Sequence, residues 1–322
     1  MAVCDAHKAQ APLDENGVPI VRCATEEMYH KAYPLYDARH MALGRLADCP
    51  TQGKCDNATI RDAVDTNNLI TINTVVHVIR DNQGNMPDDI TQADVQRMMD
   101  RAQTYYGAYS MQFDYVIEYH DNSQYACIPG YSASGEWYDD VQQMKKDYAV
   151  SPSTTMNVYI ACMDPSLQGT LFGVATFPWD PVVLTDLGGL FLNSVVATPK
   201  SQDEGDVTFE HEAGHCIGLW HTFHGTDEVI GCGMACEEDP HPSVDPSANA
   251  VGDFCADTPA TPLNYDCGPP SGESCTGAPW GQTDYTNFMG YGMDPTPCGN
   301  HFTDQQVKRA HCWICDALPG YA

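Results

Sequence analysis

The sequence predicts an α/β chain. Strand-like and helix-like stretches alternate from Leu69 to about Gly218, whereas residues 225–300 turn to Gly, Pro, Asp and Cys with little periodicity. A length of 322 residues is enough for one or two domains with a sizeable core.

Residues 1–61 read as an N-terminal segment without a core of its own. They hold Pro12, Pro19, Pro34 and Pro50, scattered charge and one helix expected from Thr25 to about Arg45. Cys49 and Cys55 bracket a short polar loop and suit a local disulfide. The β-branched run Ile70–Ile79 predicts a strand. Asp81 to Asn85 is turn chemistry, and Asp88 to Tyr106 predicts a helix with Val95, Met98, Met99 and Ala102 on one face. Met111–Tyr119, Met156–Cys162 and Leu190–Ala197 predict further strands, followed by a helix over about Asp206–Gly218. A stretch of some 75 residues without periodicity is unusual in a compact domain, so disulfides or bound cations must hold it. Thr303, with Gln306 three residues later, opens a last helix to about Ala317.

The chemistry concentrates in His211-Glu212-Ala213-Gly214-His215-Cys216-Ile217-Gly218-Leu219-Trp220-His221. His211 and His215 share one face of a helix, as two imidazoles binding one metal ion must. Glu212 is placed to take a proton from an attacking water. At about 100° per residue, a continuing helix would turn His221 away from the other two. The helix must therefore end before it, and Gly218 supplies the left-handed residue that ends helices. Three histidine ligands leave the fourth zinc position open, which is the catalytic arrangement. The extended motif is the zinc signature of metzincins.

Lys and Arg total 15 against 44 Asp and Glu, a net charge of −29, which excludes a nucleic-acid partner. Fifteen cysteines without a paired Cys-x-x-Cys frame point to a disulfide-bonded, secreted protein, and the odd count leaves at least one without an intrachain partner. No apolar run approaches the roughly 20 residues of a membrane span, so no membrane insertion is expected. Met1 to Gln10 is polar, so the expectation is a secreted chain from which the export signal is already gone. Asn57-Ala58-Thr59 is a glycosylation sequon.

Together with this motif, Asn287-Phe288-Met289-Gly290-Tyr291, Val76-His77-Val78-Ile79, Gly173-Val174-Ala175-Thr176-Phe177-Pro178 and Asp257-Thr258-Pro259 resemble the pappalysin family of metzincin zinc peptidases, including its secreted fungal and microbial members. The likeness runs over about 69–311. It implies a twisted mixed sheet with backing helices in an upper subdomain (62–218) and an irregular, disulfide-rich lower subdomain (219–322). It also implies one catalytic zinc on His211, His215 and His221, with Glu212 as general base, Met289 as the floor of the Met-turn and Tyr291 at the oxyanion. By spacing alone, Tyr291 is equally a buried tyrosine. Asp294 matches an acidic residue that favours arginine after the scissile bond; a turn residue before Pro295 is the other reading. Asp253, Asp257 and Thr258 resemble a calcium-binding loop, where a solvated acidic turn is the other reading. By resemblance Cys267 pairs with Cys298, and Cys275 with Cys232, Cys236 or Cys255.

Arg22-Cys23-Ala24-Thr25 resembles a pro-segment block whose cysteine fills the open zinc position, with alanine here in place of glycine. A disulfide of Cys23 with Cys4 is the alternative. The resulting expectation is a zinc endopeptidase acting on polypeptides, with its own pro-segment as inhibitor and release at Ile60-Arg61 in a polar linker. A catalytically silent binding protein and a Cys/His-rich metal-binding protein are the rival readings; intact Glu212 disfavours the first, and metal stoichiometry discriminates the second.

Overall fold

The computed structural model describes residues 13, 17, 20–32, 49, 51–130, 136–164, 170–228, 236–240, 246–274, 276–292 and 298–322. Its strands and α-helices in chain order are β1 (Ile20–Cys23), α1 (Thr25–Ala32), α2 (Ala58–Asp62), β2 (Ile70–Arg80), α3 (Gln92–Gly107), β3 (Met111–Asp121), β4 (Cys127–Ile128), α4 (Glu136–Tyr148), β5 (Met156–Met163), β6 (Thr170–Ala175), β7 (Leu190–Asn193), α5 (Pro199–Asp203), α6 (Thr208–Cys216) and α7 (Asp304–Ala317). No described helix is long and apolar enough to cross a membrane. The described residues of 11–25, 66–217 and 313–322 form one compact unit, and those of 26–65 and 218–312 another.

The first unit carries the sheet, in the order β1-β6-β7-β5-β2-β3, with β4 added to β5. Every pairing is parallel except β6 with β7, so the sheet is mixed. Its central strands read as near-continuous apolar runs because both faces are covered: β5 and β7 are buried almost throughout. Helix α3 starts where Thr91 and Asp94 cap each other reciprocally, the Thr91 amide donating to Asp94 Oδ2 at 2.8 Å.

Six of these elements went unread in the sequence, and three of them, α2, β4 and α5, are no longer than five residues. Strand β1 lies among prolines and is four residues long. Strand β6 is interrupted by Gly173. Helix α4 does carry a signal, since Trp137, Val141 and Met144 recur at helical spacing and are buried. Strand β7 stops at Asn193 rather than Ala197. The Asn193 side chain donates to Leu171 O at 2.9 Å and caps a 3-10 turn over Ser194–Ala197. The expected N-terminal helix is described only over Thr25–Ala32; its continuation to Arg45 lies outside the described residues.

In the second unit, covalent links and buried polar contacts replace regular structure. Cys49 is joined to Cys236, Cys55 to Cys312 and Cys267 to Cys298. Cys49 and Cys55 therefore do not close a local loop; each ties the N-terminal region to a residue far along the chain. Cys55 and Cys236 are fully buried, so solvent-excluded neighbours fix the pairing. Cys275 and Cys232 lie outside the described residues. Arg61 is not in an exposed linker. It sits on α2 with no exposed surface, its guanidinium donating to Phe254 O and, at 2.7 Å, to Asn249 Oδ1. A protease cannot bind the Ile60-Arg61 bond in extended form while these contacts hold, which corrects the expected release site. Arg309 donates to Gly218 O at 2.7 Å and meets Asp56 Oδ1 at 2.6 Å, both side chains excluded from solvent. Removing one partner of a buried ion pair leaves an uncompensated charge, so Asp56→Ala should destabilise the fold by about 3–5 kcal/mol in denaturant unfolding.

Candidate metal and catalytic site

Helix α6 is buried on all sides. Asp206 accepts from the Thr208 amide at 2.8 Å at its start. Arg101 neutralises Glu210 through contacts of 3.0 and 3.3 Å, and Tyr106 Oη donates to the Glu210 carbonyl at 2.8 Å. Burial raises the Asp206 and Glu210 pKa values, opposed in each case by nearby arginine. The helix ends with the Ile217 amide bonded back to Ala213 and Gly214, and Gly218 follows at φ +100°. That is the stop that Gly218 predicted.

One turn of this helix stacks the imidazoles, with His211 Nε2 and His215 Nε2 3.2 Å apart. Cys23 Sγ lies 3.4 Å from His215 Nε2 and accepts from the Thr25 amide at 3.3 Å. Two donors bound at about 2.0–2.3 Å to one tetrahedral ion lie roughly 3.3–3.7 Å apart. Two imidazoles and a thiol at these separations are thus a donor set that fits zinc. Thr25 Oγ1 donates to Glu212 Oε2 at 2.9 Å and accepts from the Ala175 amide at 2.7 Å.

Strand pairing positions these groups. Strand β1 runs parallel to β6 with Cys23 opposite Gly173, and the Ala24 amide donates to Gly173 O at 3.1 Å. Glu212 occupies the space a side chain at Gly173 would need: a Cβ there would fall 2.6 Å from Glu212 Cγ and Oε1.

In the other unit, His221 Nδ1 meets Glu26 Oε1 at 3.1 Å, and its amide donates to the same oxygen at 3.0 Å. A carboxylate on Nδ1 fixes the tautomer and directs the Nε2 lone pair outward for ligation. Glu26 also contacts His224 Nδ1 at 2.7 Å. Sequence reasoning missed Glu26, which stands only three residues after Cys23 and gives no signal of its own. Tyr291 packs edge-on against His221, with ring centroids 5.0 Å apart. Met289 is fully buried, and its carbonyl accepts from the Thr222 amide at 3.2 Å, next to His221. The turn is set by Asn287, whose Oδ1 accepts from the Met289 amide at 2.9 Å.

A peptidase family model, described as pregnancy-associated plasma protein-A, matches residues 139–314 and so spans the motif and the Met-turn. The chain belongs to this family, the pappalysins. Human Pappalysin-1 is 37% identical over 180 residues, which are 55% of this chain and 10% of that protein. The chain therefore spans about a tenth of that relative's length. A relative from Arthroderma benhamiae named "Extracellular metalloprotease" is 28% identical over 251 residues, covering 76% of this chain and 78% of the relative. Among solved structures, a Tannerella forsythia promirolysin mutant aligns at a TM-score of 0.56 and 16% identity, covering 93% of this chain and 96% of that one. That likeness concerns the fold, a mixed α/β architecture.

Other residues expected from the pappalysin resemblance fall in the second unit. Asp294 lies outside the described residues. Asp253 is buried, and its Oδ1 accepts from the Cys255 amide at 2.8 Å. Thr258 is buried nearby in sequence. Asp257 takes a different part: its two oxygens accept from Thr303 Oγ1 and the Gln305 amide, each at 2.8 Å, so it caps α7. Glu238 is the carboxylate that the sequence reading missed. It is buried against Gly252, where a Cβ would fall 2.1 Å from Glu238 Oε2.

Burial pushes Asp253 up to about 7; burial and the charge of Asp253 push Glu238 well above the usual carboxylate range. With no cation bound, the folded chain keeps protons here that the unfolded chain releases near pH 4. Stability must then fall as pH rises from about 4 to about 7, since the folded state binds more protons across that window. After chelation, the melting temperature should drop over this range, and the Asp253→Asn/Glu238→Gln double variant should flatten that dependence.

Proposed function

We propose that this pappalysin is a secreted zinc endopeptidase held latent by its own N-terminal segment. One observation carries the reading: Cys23 Sγ stands 3.4 Å from His215 Nε2 while Thr25 Oγ1 holds Glu212 Oε2 at 2.9 Å. One short segment thus engages both a proposed metal ligand and the proposed base. The ligand set in the active form is His211, His215 and His221. Bound zinc would supply Lewis acidity and bring the pKa of water to about 7. Glu212 takes the proton of the attacking water and delivers it to the leaving amine. Tyr291 would hydrogen-bond the developing oxyanion, and Met289 takes the Met-turn part that the family resemblance gives it.

Strand β7, although it comes just before the zinc helix in the chain, cannot present an edge to substrate, because β5 and β6 flank it. The outer strand at the opposite side of the sheet is β3; at the end that carries Gly173, the edge under β1 is that of β6. Displacing β1 would expose that edge for an extended peptide to add as a strand. Residues beyond Cys49 are disulfide-linked to the second unit, so the removable inhibitor ends before Cys49 rather than at Arg61. Relatives named extracellular metalloproteases and the disulfides support secretion.

Calcium binds at Asp253 and Glu238, where two buried carboxylates call for a cation. Thr258 adds an oxygen, and Asp257 contributes charge from its capping position. Added calcium should raise the melting temperature of the chelated chain near neutral pH in the series above; no response there would remove the site.

The uncut chain should be inactive on a peptide library and Cys23→Ala should be active without processing. Adding Glu212→Gln to Cys23→Ala should preserve zinc content and lower activity by about 10²–10⁴-fold. Activity of the uncut wild type with Cys23 in a disulfide would overturn latency, and activity of the double variant within tenfold of Cys23→Ala would overturn the role of Glu212. Asp294 offers a carboxylate to an arginine after the scissile bond. Cleavage sites from the same library, read by mass spectrometry, should show that preference, and Asp294→Ala should flatten it without loss of general proteolysis.

A further inference from the structure

His77, Glu118 and His120 form a second group of ligand-type side chains that the proposed reaction does not use. Strand register assembles it. Strands β2 and β3 run parallel with His77 opposite Glu118, and His120 follows two residues later on the same face. By the same alternation Phe113 lies on the opposite face, where its ring packs 5.4 Å from that of Phe209 on α6. The cluster is thus on the side of the sheet away from the zinc helix.

The proton on His77 can be placed. Asn157 Nδ2 donates to Val150 O at 3.1 Å and Thr155 O at 3.0 Å, and its Oδ1 accepts from the Val150 amide at 2.8 Å. Oδ1 therefore faces His77 Nε2 at 2.9 Å, and Nε2 bears the hydrogen. The lone pair of His77 Nδ1 points at His120 Nε2, 3.0 Å away. Glu118 Oε2 is 3.9 Å from both ring nitrogens. Both rings are clamped: His77 stacks on Tyr159 at 4.8 Å and His120 on Tyr148 at 4.1 Å. His77 is fully buried, while the Glu118 side chain is 44% exposed, so the group opens to solvent on one side.

We propose that His77 Nδ1, His120 Nε2 and the Glu118 carboxylate bind a divalent transition-metal ion of the zinc class. Ligands bonded at about 2.0–2.1 Å to a tetrahedral ion lie roughly 3.3 Å apart, and separations of 3.0 and 3.9 Å straddle that value. A ligating histidine characteristically donates its other N–H to a fixed acceptor, the part Asn157 plays here. Two imidazoles and one carboxylate suit zinc, copper or nickel better than the all-oxygen preference of calcium or magnesium. The exposed side leaves room for water as the fourth ligand.

The competing use of the group is a plain N–H···N hydrogen bond between the rings. His120→Gln separates the two, because its amide can still donate to His77 Nδ1 but offers no imidazole lone pair. Glu118→Gln, on an exposed side chain, provides a second variant that should fold in any case. The full chain, dialysed against micromolar free zinc, should carry two zinc ions by elemental mass spectrometry. Each of these variants should carry one, with the His211→Ala/His215→Ala variant losing the other independently. Equal zinc content in wild type, His120→Gln and Glu118→Gln would overturn the proposal. Unchanged zinc in His211→Ala/His215→Ala would instead overturn the catalytic-site reading and leave this one standing.

Discussion

The arrangement turns on the absence of a side chain at Gly173. Glu212 is a buried carboxylate on a helix with no exposed face, and it fits only because the neighbouring strand has no Cβ there. Putting ionisable groups in an apolar interior is costly unless each finds a partner. Around α6 the partners are specific: Arg101 for Glu210, Thr208 for Asp206, Thr25 for Glu212. Arg101 comes from α3, Thr208 from α6 itself and Thr25 from the start of α1, held by the Ala175 amide of β6. Strand β1 completes the set by pairing in a register that sets Cys23 against Gly173.

The second unit solves a different problem. With few helices and no sheet among its described residues, it has little regular hydrogen bonding to hold its chain in place. Three described disulfides, a buried Arg309–Asp56 pair and a buried Arg61 do that work instead. Arginine suits it because one planar group can hold several carbonyl and carboxylate oxygens together. His221, Met289 and Tyr291 gain fixed positions from this frame rather than from helix or strand.

Much of this was legible in the residues. The spacing of His211 and His215 required a helix, and the geometry of a continuing helix required a stop, found at Gly218. Alternating and β-branched runs marked β2, β3 and β5. What escaped was information carried between distant segments. Four residues of β1 become a strand only because β6 offers an edge, and Glu26 becomes a partner of His221 only through the folded chain. Glu238 is one acidic residue among many in a chain with a net charge of −29, and burial alone distinguishes it. Cys49 and Cys55, six residues apart, suggested each other; neither pairs locally.

The links from Cys49 to Cys236 and from Cys55 to Cys312 also divide the chain's fate at a single break. A break between Ala32 and Cys49 would leave everything after it as one covalent body and free the segment bearing Cys23 from the two links at Cys49 and Cys55. While the chain is whole, that thiol competes for its site at an effective concentration of the order of millimolar, as short tethers give. Once severed, it competes only at its actual concentration in the surrounding fluid, and dilution alone then drives it away. On this reading activation is irreversible without any change in the strength of a single contact.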